Sequence, residues 1–143
     1  MKVKINKVKA NAQIPVYSSA SAAGADLYYC GEEVVIAPSQ TVMLGTGIAM
    51  EIPEGYVGLV FARSGLACKS GLAPANKVGV IDSDYRGEIK VALHNHSTQE
   101  KTVGAGERIA QIVITPYLKC DFEEGELSST SRGEGGFGST GKK

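Results

Sequence analysis

Lys77-Val78-Gly79-Val80-Ile81-Asp82-Ser83-Asp84-Tyr85-Arg86-Gly87-Glu88-Ile89-Lys90-Val91-Ala92-Leu93 reads as two strands on either side of a turn. Val78 to Ile81 is a short apolar run. Glu88 to Leu93 alternates strictly, with Ile89, Val91 and Leu93 facing inward and Glu88, Lys90 and Ala92 outward. Between the two lies Asp82-Ser83-Asp84-Tyr85-Arg86-Gly87, rich in turn formers. Period-two patterning about a turn that bears Gly and Asp predicts a β-hairpin. A rigid tip then holds two carboxylates, a tyrosine and an arginine together, as scaffolds do when they present chemistry. The same residues also make ordinary turns, and on this segment alone the ordinary reading is preferred.

The strand period recurs along the chain. Val3 and Ile5 alternate, residues 32–37 form a short β-branched run stopped by Pro38, and Ile48, Met50 and Ile52 alternate before Pro53-Glu54-Gly55. Val57, Leu59 and Phe61 alternate next, and residues 108–115 supply another strand before Pro116. Turn signals every eight to twelve residues or so predict an all-β sandwich or barrel. One short helix is expected at residues 64–69, with Ser64 as its N-cap.

At 143 residues the chain is long enough for one domain with a real core. Fifteen basic and fifteen acidic residues cancel, so no global field attracts nucleic acid or an anionic membrane. A charged ligand must be met by a local cluster. Eighteen glycines, nearly twice the usual share of roughly 7%, point to tight turns and close backbone approaches. Cys30, Cys68 and Cys120 are odd in number and lack CxxC spacing, so they are expected as buried or half-buried thiols of a reducing compartment. No signal-like or membrane-spanning apolar run occurs, which places the protein inside the cell, in the cytoplasm, or in the nucleus of a eukaryotic or virus-infected cell. Asn95-His96-Ser97 matches a glycosylation sequon without the secretory context that would give it meaning.

Residues 1–127 carry the strand patterning. Residues 128–143 contain no aliphatic side chain and read as a flexible, Gly-rich tail. That tail nevertheless holds Arg132 and Phe137, and a solvating tail needs no phenylalanine. Its end, Gly136-Phe137-Gly138-Ser139-Thr140-Gly141-Lys142-Lys143, is a near miss to a P-loop, with Lys143 where Ser or Thr is needed, and follows no apolar strand. Its glycine amides, with Ser139, Thr140 and Arg132, could still wrap phosphate oxygens.

Other segments are ambiguous one by one. Arg63-Ser64-Gly65 at a helix start offers a guanidinium, a hydroxyl and free amides to a phosphate, and an ordinary N-cap explains it equally well. Gln111 lies in an apolar strand, where most glutamines satisfy neighbouring backbone. Asp26 reads by itself as a turn residue. His94 and His96 share a strand face without a third metal ligand at a recognisable spacing, and neither is near a Ser or Cys motif, so metal binding and nucleophilic catalysis are unsupported. The zinc-deaminase pattern is absent. Dense carboxylates are absent too, but magnesium on a nucleoside triphosphate is held mainly by phosphate and water.

Order resolves the ambiguity. Ala23-Gly24-Ala25-Asp26-Leu27, Arg63-Ser64-Gly65-Leu66-Ala67, Gly79-Val80-Ile81-Asp82-Ser83-Asp84-Tyr85-Arg86-Gly87, Gly106-Glu107-Arg108-Ile109-Ala110-Gln111 and Arg132-Gly133-Glu134-Gly135-Gly136-Phe137-Gly138-Ser139-Thr140-Gly141 follow one another along the chain. Together they strongly resemble the five motifs of trimeric deoxyuridine triphosphatases (dUTPases), and the likeness covers nearly the whole chain.

The resemblance implies a jelly-roll β fold and a homotrimer with shared active sites. It implies hydrolysis of dUTP to dUMP and pyrophosphate with Mg2+, and no direct nucleic-acid or membrane binding. By likeness, Asp82 activates the water that attacks the α-phosphorus, and Tyr85 packs on the deoxyribose and leaves no room for a 2′-hydroxyl. Asn76 and the backbone around Val80, Ile81 and Lys90 read the uracil edge. Arg63, Ser64, Gly65 and Gln111 hold phosphates, while Asp26 acts on the metal through water. Arg132, Phe137, Gly138 and Ser139 belong to a lid, with Phe137 over the base. A deoxycytidine triphosphate deaminase of the same fold family is the nearest rival, and the tip and the Phe-Gly tail favour the hydrolase. A nucleotide-sensing module that engages a protein partner is the rival from another class.

Overall fold

The computed structural model describes residues 1–136. Twelve strands are seen among them: β1 (Lys4–Lys7), β2 (Val16–Tyr17), β3 (Ala25–Tyr28), β4 (Val34–Ile36), β5 (Thr41–Gly45), β6 (Ile48–Glu51), β7 (Tyr56–Phe61), β8 (Leu72–Pro74), β9 (Val78–Ile81), β10 (Lys90–Asn95), β11 (Lys101–Val103) and β12 (Arg108–Pro116). Every strand pair is antiparallel. The largest sheet runs β2-β3-β12-β7-β9, a second runs β5-β10-β8, and β1-β6 and β11-β4 are two-stranded. The architecture is an all-β jelly roll, as expected.

Leu27, Ile36, Leu44, Ile48, Ile89, Leu93, Val103 and Ile109 contribute the largest fully buried apolar side chains, drawn from several sheets. Each such aliphatic contributes about 1.5–3 kcal/mol relative to exposure. The alternation expected from Glu88 to Leu93 holds, since Ile89, Val91 and Leu93 are buried and Lys90 is exposed. Asn95 is fully buried; its amide donates to the carbonyls of Ile36 (2.9 Å) and Gln99 (2.7 Å) and accepts from Ser97. A side chain so engaged is no acceptor for a glycan, which disposes of the sequon.

The hairpin expectation requires correction. β9 pairs with β7 in the large sheet, whereas β10 pairs with β5 and β8 in another. The chain turns through residues 82–88 but its two legs diverge and share no ladder. Alternation reports which face a strand buries and is silent about its partner. The short helix stands where expected, over residues 64–70, and opens with Ser64 and Gly65 in α-helical conformation. A π-helical turn spans Leu66–Ser70 and ends at Gly71, whose φ of 70° is left-handed. Ser64 is already inside the helix rather than its N-cap, and no side-chain hydrogen bond caps the turn.

Cys30 is buried, its thiol donating to Asn11 Oδ1 at 3.0 Å, while Cys68 and Cys120 are exposed rather than half-buried. The Arg108–Pro116 strand is the last among the described residues. Beyond it Leu118, Phe122 and Leu127 are almost fully exposed. No helix among the described residues is long and apolar enough to cross a membrane.

Candidate active site

Two separate groups of side chains are built on the large sheet. The first surrounds the turn after β9. Ile81 leads into Asp82, whose carbonyl accepts from the Tyr85 N–H at 3.2 Å. Arg86 folds back and donates to the carbonyls of Ser83 (2.6 Å) and Tyr85 (3.0 Å), and the Tyr85 hydroxyl donates to the Glu88 carbonyl at 3.0 Å. The tip is therefore a closed loop held by its own side chains. Asp82 is exposed, and its carboxylate takes no hydrogen bond among the described residues. With Val80, Ile81, Tyr85, Glu88, Lys90 and Met43 it lines a cavity of about 540 Å³.

Beside this cavity is a narrow crevice of about 110 Å³ between β9 and β10, lined by Asn76, Gly79, Val80, Ile81, Lys90 and Val91 among others. Its walls are main-chain edges. β9 is the last strand of its sheet, so one edge is unpaired. On β10 the ladder to β8 begins at Leu93, leaving Lys90 and Val91 free on that side, with the Ala92 carbonyl taken by the Ala75 N–H at 2.8 Å. Lys77, at φ 65° in the left-handed region, makes the sharp entry into β9 and keeps Asn76 at the crevice. The divergence of the two legs thus leaves backbone donors and acceptors facing a space sized for one ring, far below the roughly 300–1,000 Å³ of usual ligand pockets.

The second group lies where β3, β7 and β12 adjoin. Asp26 sits in strand β3 and is buried, not in a turn. Arg63 Nε donates to its Oδ1 at 2.7 Å, and Arg108 donates to its Oδ2 at 3.2 Å. One carboxylate thus orients two guanidiniums, leaving a net positive group with donors to spare. Gln111 stands beside Asp26 across the β3–β12 ladder and donates to the Ala62 carbonyl at 2.9 Å, the backbone role expected of it. Asp26, Arg63, Ser64, Gly65 and Gln111 all line one cavity of about 430 Å³. Because Ser64 is itself helical and makes no capping bond, its hydroxyl is not spent on a cap.

Arg108 was missed by sequence reasoning. It stands in the motif at residues 106–111 without a role of its own, and only the fold brings it across 82 residues to Asp26. Arg132 donates to the Gly135 carbonyl at 2.8 Å within the tail and lines neither cavity. Phe137, Gly138 and Ser139 lie outside the described residues.

The tip and the clamp do not meet on one chain. Gln111, Phe61 and Val78 form one cross-strand row; Ile114, Gly58 and Ile81 form another three residues along, with Asp82 one residue beyond. At ~3.4 Å per residue and ~4.8 Å per strand, the Asp82 and Gln111 α-carbons are roughly 17 Å apart. Their side chains do not close that gap around a single phosphorus.

The family model described as dUTPase matches residues 10–141. The chain belongs to the dUTPase family. It is 50% identical to a deoxyuridine 5'-triphosphate nucleotidohydrolase of Hydrogenobaculum sp. (strain Y04AAS1), with 100% of both chains covered. It is 51% identical to the protein of that name from Nautilia profundicola, covering 99% of this chain and 100% of the relative. Among solved structures, the Staphylococcus bacteriophage 80alpha dUTPase with dUPNHPP superimposes with a TM-score of 0.89 at 30% identity, covering 98% of each chain.

Proposed function

We propose that this dUTPase hydrolyses dUTP to dUMP and pyrophosphate at sites assembled between subunits of a homotrimer, with Asp82 as the general base. The observation that carries the reading is the crevice between β9 and β10, a ring-sized slot walled by unpaired backbone and opening beside a free carboxylate. Asn76 and the main chain at Val80, Ile81 and Lys90 pair with the edge of uracil. Close packing there refuses the 5-methyl of thymine. Tyr85, held over the tip by its hydroxyl, lies against the deoxyribose and excludes a 2′-hydroxyl.

Asp82 takes a proton from water as the water oxygen bonds to the α-phosphorus. The bond from that phosphorus to the bridging oxygen breaks, and pyrophosphate leaves. Arg63, Ser64, Gly65 and Gln111, with Arg108 beside them, hold the phosphate oxygens where charge accumulates. Mg2+ fits this arrangement through water. Each Asp26 oxygen already accepts one guanidinium N–H and retains a lone pair for a water of the metal's shell. When bound, the ion screens the triphosphate charge. Residues 1–127 form the domain, and residues 128–143 form the lid, with Arg132, Phe137, Gly138 and Ser139 closing over the nucleotide. The cytoplasm is the compartment that fits this reading.

The separation of tip and clamp on one chain supports the shared site, since one subunit's tip can meet a neighbour's clamp around a closed ring. Pyrophosphate release from dUTP, dTTP, dCTP and UTP, each with magnesium, tests the substrate; release from dUTP alone is expected, and ammonia from dCTP overturns the reading. The assembly is tested by co-refolding equal amounts of the inactive Asp82→Asn and Arg63→Ala chains. Random pairing of intact tips with intact clamps restores about a quarter of native activity. A mixture as inactive as its parts means each site is built within one chain.

A further inference from the structure

We propose that Glu88 is a positioning residue, which holds the tip in register with the crevice and thereby sets the preference for a deoxyribose over a ribose. The inference rests on the reading of Tyr85 as the sugar wall. Glu88 is joined to its surroundings through three groups. Its main-chain carbonyl accepts the Tyr85 hydroxyl at 3.0 Å. Its Oε1 accepts the Gly47 N–H at 2.8 Å, across the turn between β5 and β6. Its Oε2 lies 3.8 Å from Lys90 Nζ at the mouth of the crevice.

The next residue completes the seam. Ile89 donates to the Ile48 carbonyl at 2.8 Å and accepts from the Thr46 N–H (3.1 Å) and hydroxyl (2.7 Å). Residues 88 and 89 therefore stitch the outgoing leg of the tip to the corner at residues 45–48. The incoming leg is fixed independently by the β7–β9 ladder. Tyr85 and Asp82 lie between these two attachments, so their position depends on both. The Glu88 side chain is only 18% exposed, and an isolated surface charge would not be held so closely. Gly45 permits the approach, because a β-carbon there would stand 2.5 Å from Glu88 Oε1.

Steady-state kinetics of Glu88→Ala and Glu88→Gln on dUTP and UTP, with thermal melts of each, test the proposal. Loss of a hydrogen bond to a charged group predicts that Glu88→Ala lowers kcat/KM for dUTP about ten- to a hundredfold. The dUTP-to-UTP preference should fall roughly fivefold or more as Tyr85 loosens. Glu88→Gln keeps an oxygen for the Gly47 N–H and should recover most of the preference. Gly45→Ala leaves Glu88 in place but displaces its carboxylate, so it should lower the same ratio even if Glu88→Ala folds poorly. An unchanged ratio in both Glu88→Ala and Gly45→Ala overturns the proposal, as does a loss in Glu88→Gln equal to that in Glu88→Ala. Failure of the underlying reading is separate: the native chain would then show no preference for dUTP over UTP.

Discussion

The crevice beside β9 and the clamp around Asp26 recognise by opposite means. The crevice is walled by main chain left unpaired where two strands diverge into different sheets. The clamp is made of side chains already paired with one another before any ligand arrives. A neutral base edge needs donors and acceptors at fixed spacing, which strand backbone provides without flexible parts. A polyanion needs charge, and charge free to wander costs entropy and orientation when it is used. Asp26 lowers that cost by holding Arg63 and Arg108 in place, at the expense of one positive charge in three groups. Substitutions should therefore separate the two regions kinetically.

The largest effect is expected at Asp82. Asp82→Asn keeps the shape of the tip and removes the base, so kcat should fall roughly 10²–10⁴-fold while nucleotide binding, followed by calorimetry with a non-hydrolysable dUTP analogue, persists. Near-normal turnover would remove Asp82 from the chemistry. Loss of binding with turnover would mean that the tip, rather than the clamp, holds the phosphates, and the contrast between the regions would fail.

Asp26→Ala should act in the other direction, raising KM roughly tenfold or more with a smaller change in kcat, because the two guanidiniums lose their common acceptor. Its effect on the melt should be modest. Breaking a fully buried pair costs about 3–5 kcal/mol, but water reaches these arginines, whose side chains are 25% and 47% exposed, so about 1–2 kcal/mol is expected. A fall in kcat alone would place Asp26 with the reacting atoms instead.

How far these regions were legible in the sequence follows from the same contrast. The alternation of Ile89, Val91 and Leu93 marks their buried face correctly, because period two is imposed locally by the pleat. The run at residues 108–115 likewise becomes a strand, and that at residues 32–37 yields a shorter one, Val34–Ile36. For Val57, Leu59 and Phe61 the alternation holds, but it is Gly58 and Val60 that are buried and the larger residues that are half-exposed. The crevice was hidden because no spacing tells that β9 and β10 separate after one turn. The clamp was hidden for another reason: Asp26 meets partners 37 and 82 residues away, and its small-residue surroundings resemble a turn. Ordered motifs and their family likeness brought these residues together on paper, whereas local pattern did not.

The smallest effect expected, and the sharpest for the contrast, is at Gly24. A β-carbon at this position would collide with Gln111 Oε1, which is the far end of a flexible side chain rather than backbone. Gly24→Ala should therefore leave the sheet intact and tilt the Gln111 amide away from the Ala62 carbonyl. Gln111 lines the cavity with Arg63 and Ser64, so the disturbance reaches the clamp and stops there. One neutral hydrogen bond is worth about 0.5–1.5 kcal/mol, which predicts a KM for dUTP raised about two- to tenfold. The dUTP-to-UTP ratio should stay unchanged, since Tyr85 and the crevice lie on the other group of residues. Steady-state kinetics on both nucleotides reads the two quantities together. A shifted ratio would show that clamp and crevice are coupled through the shared sheet, and the division between them would have to be given up.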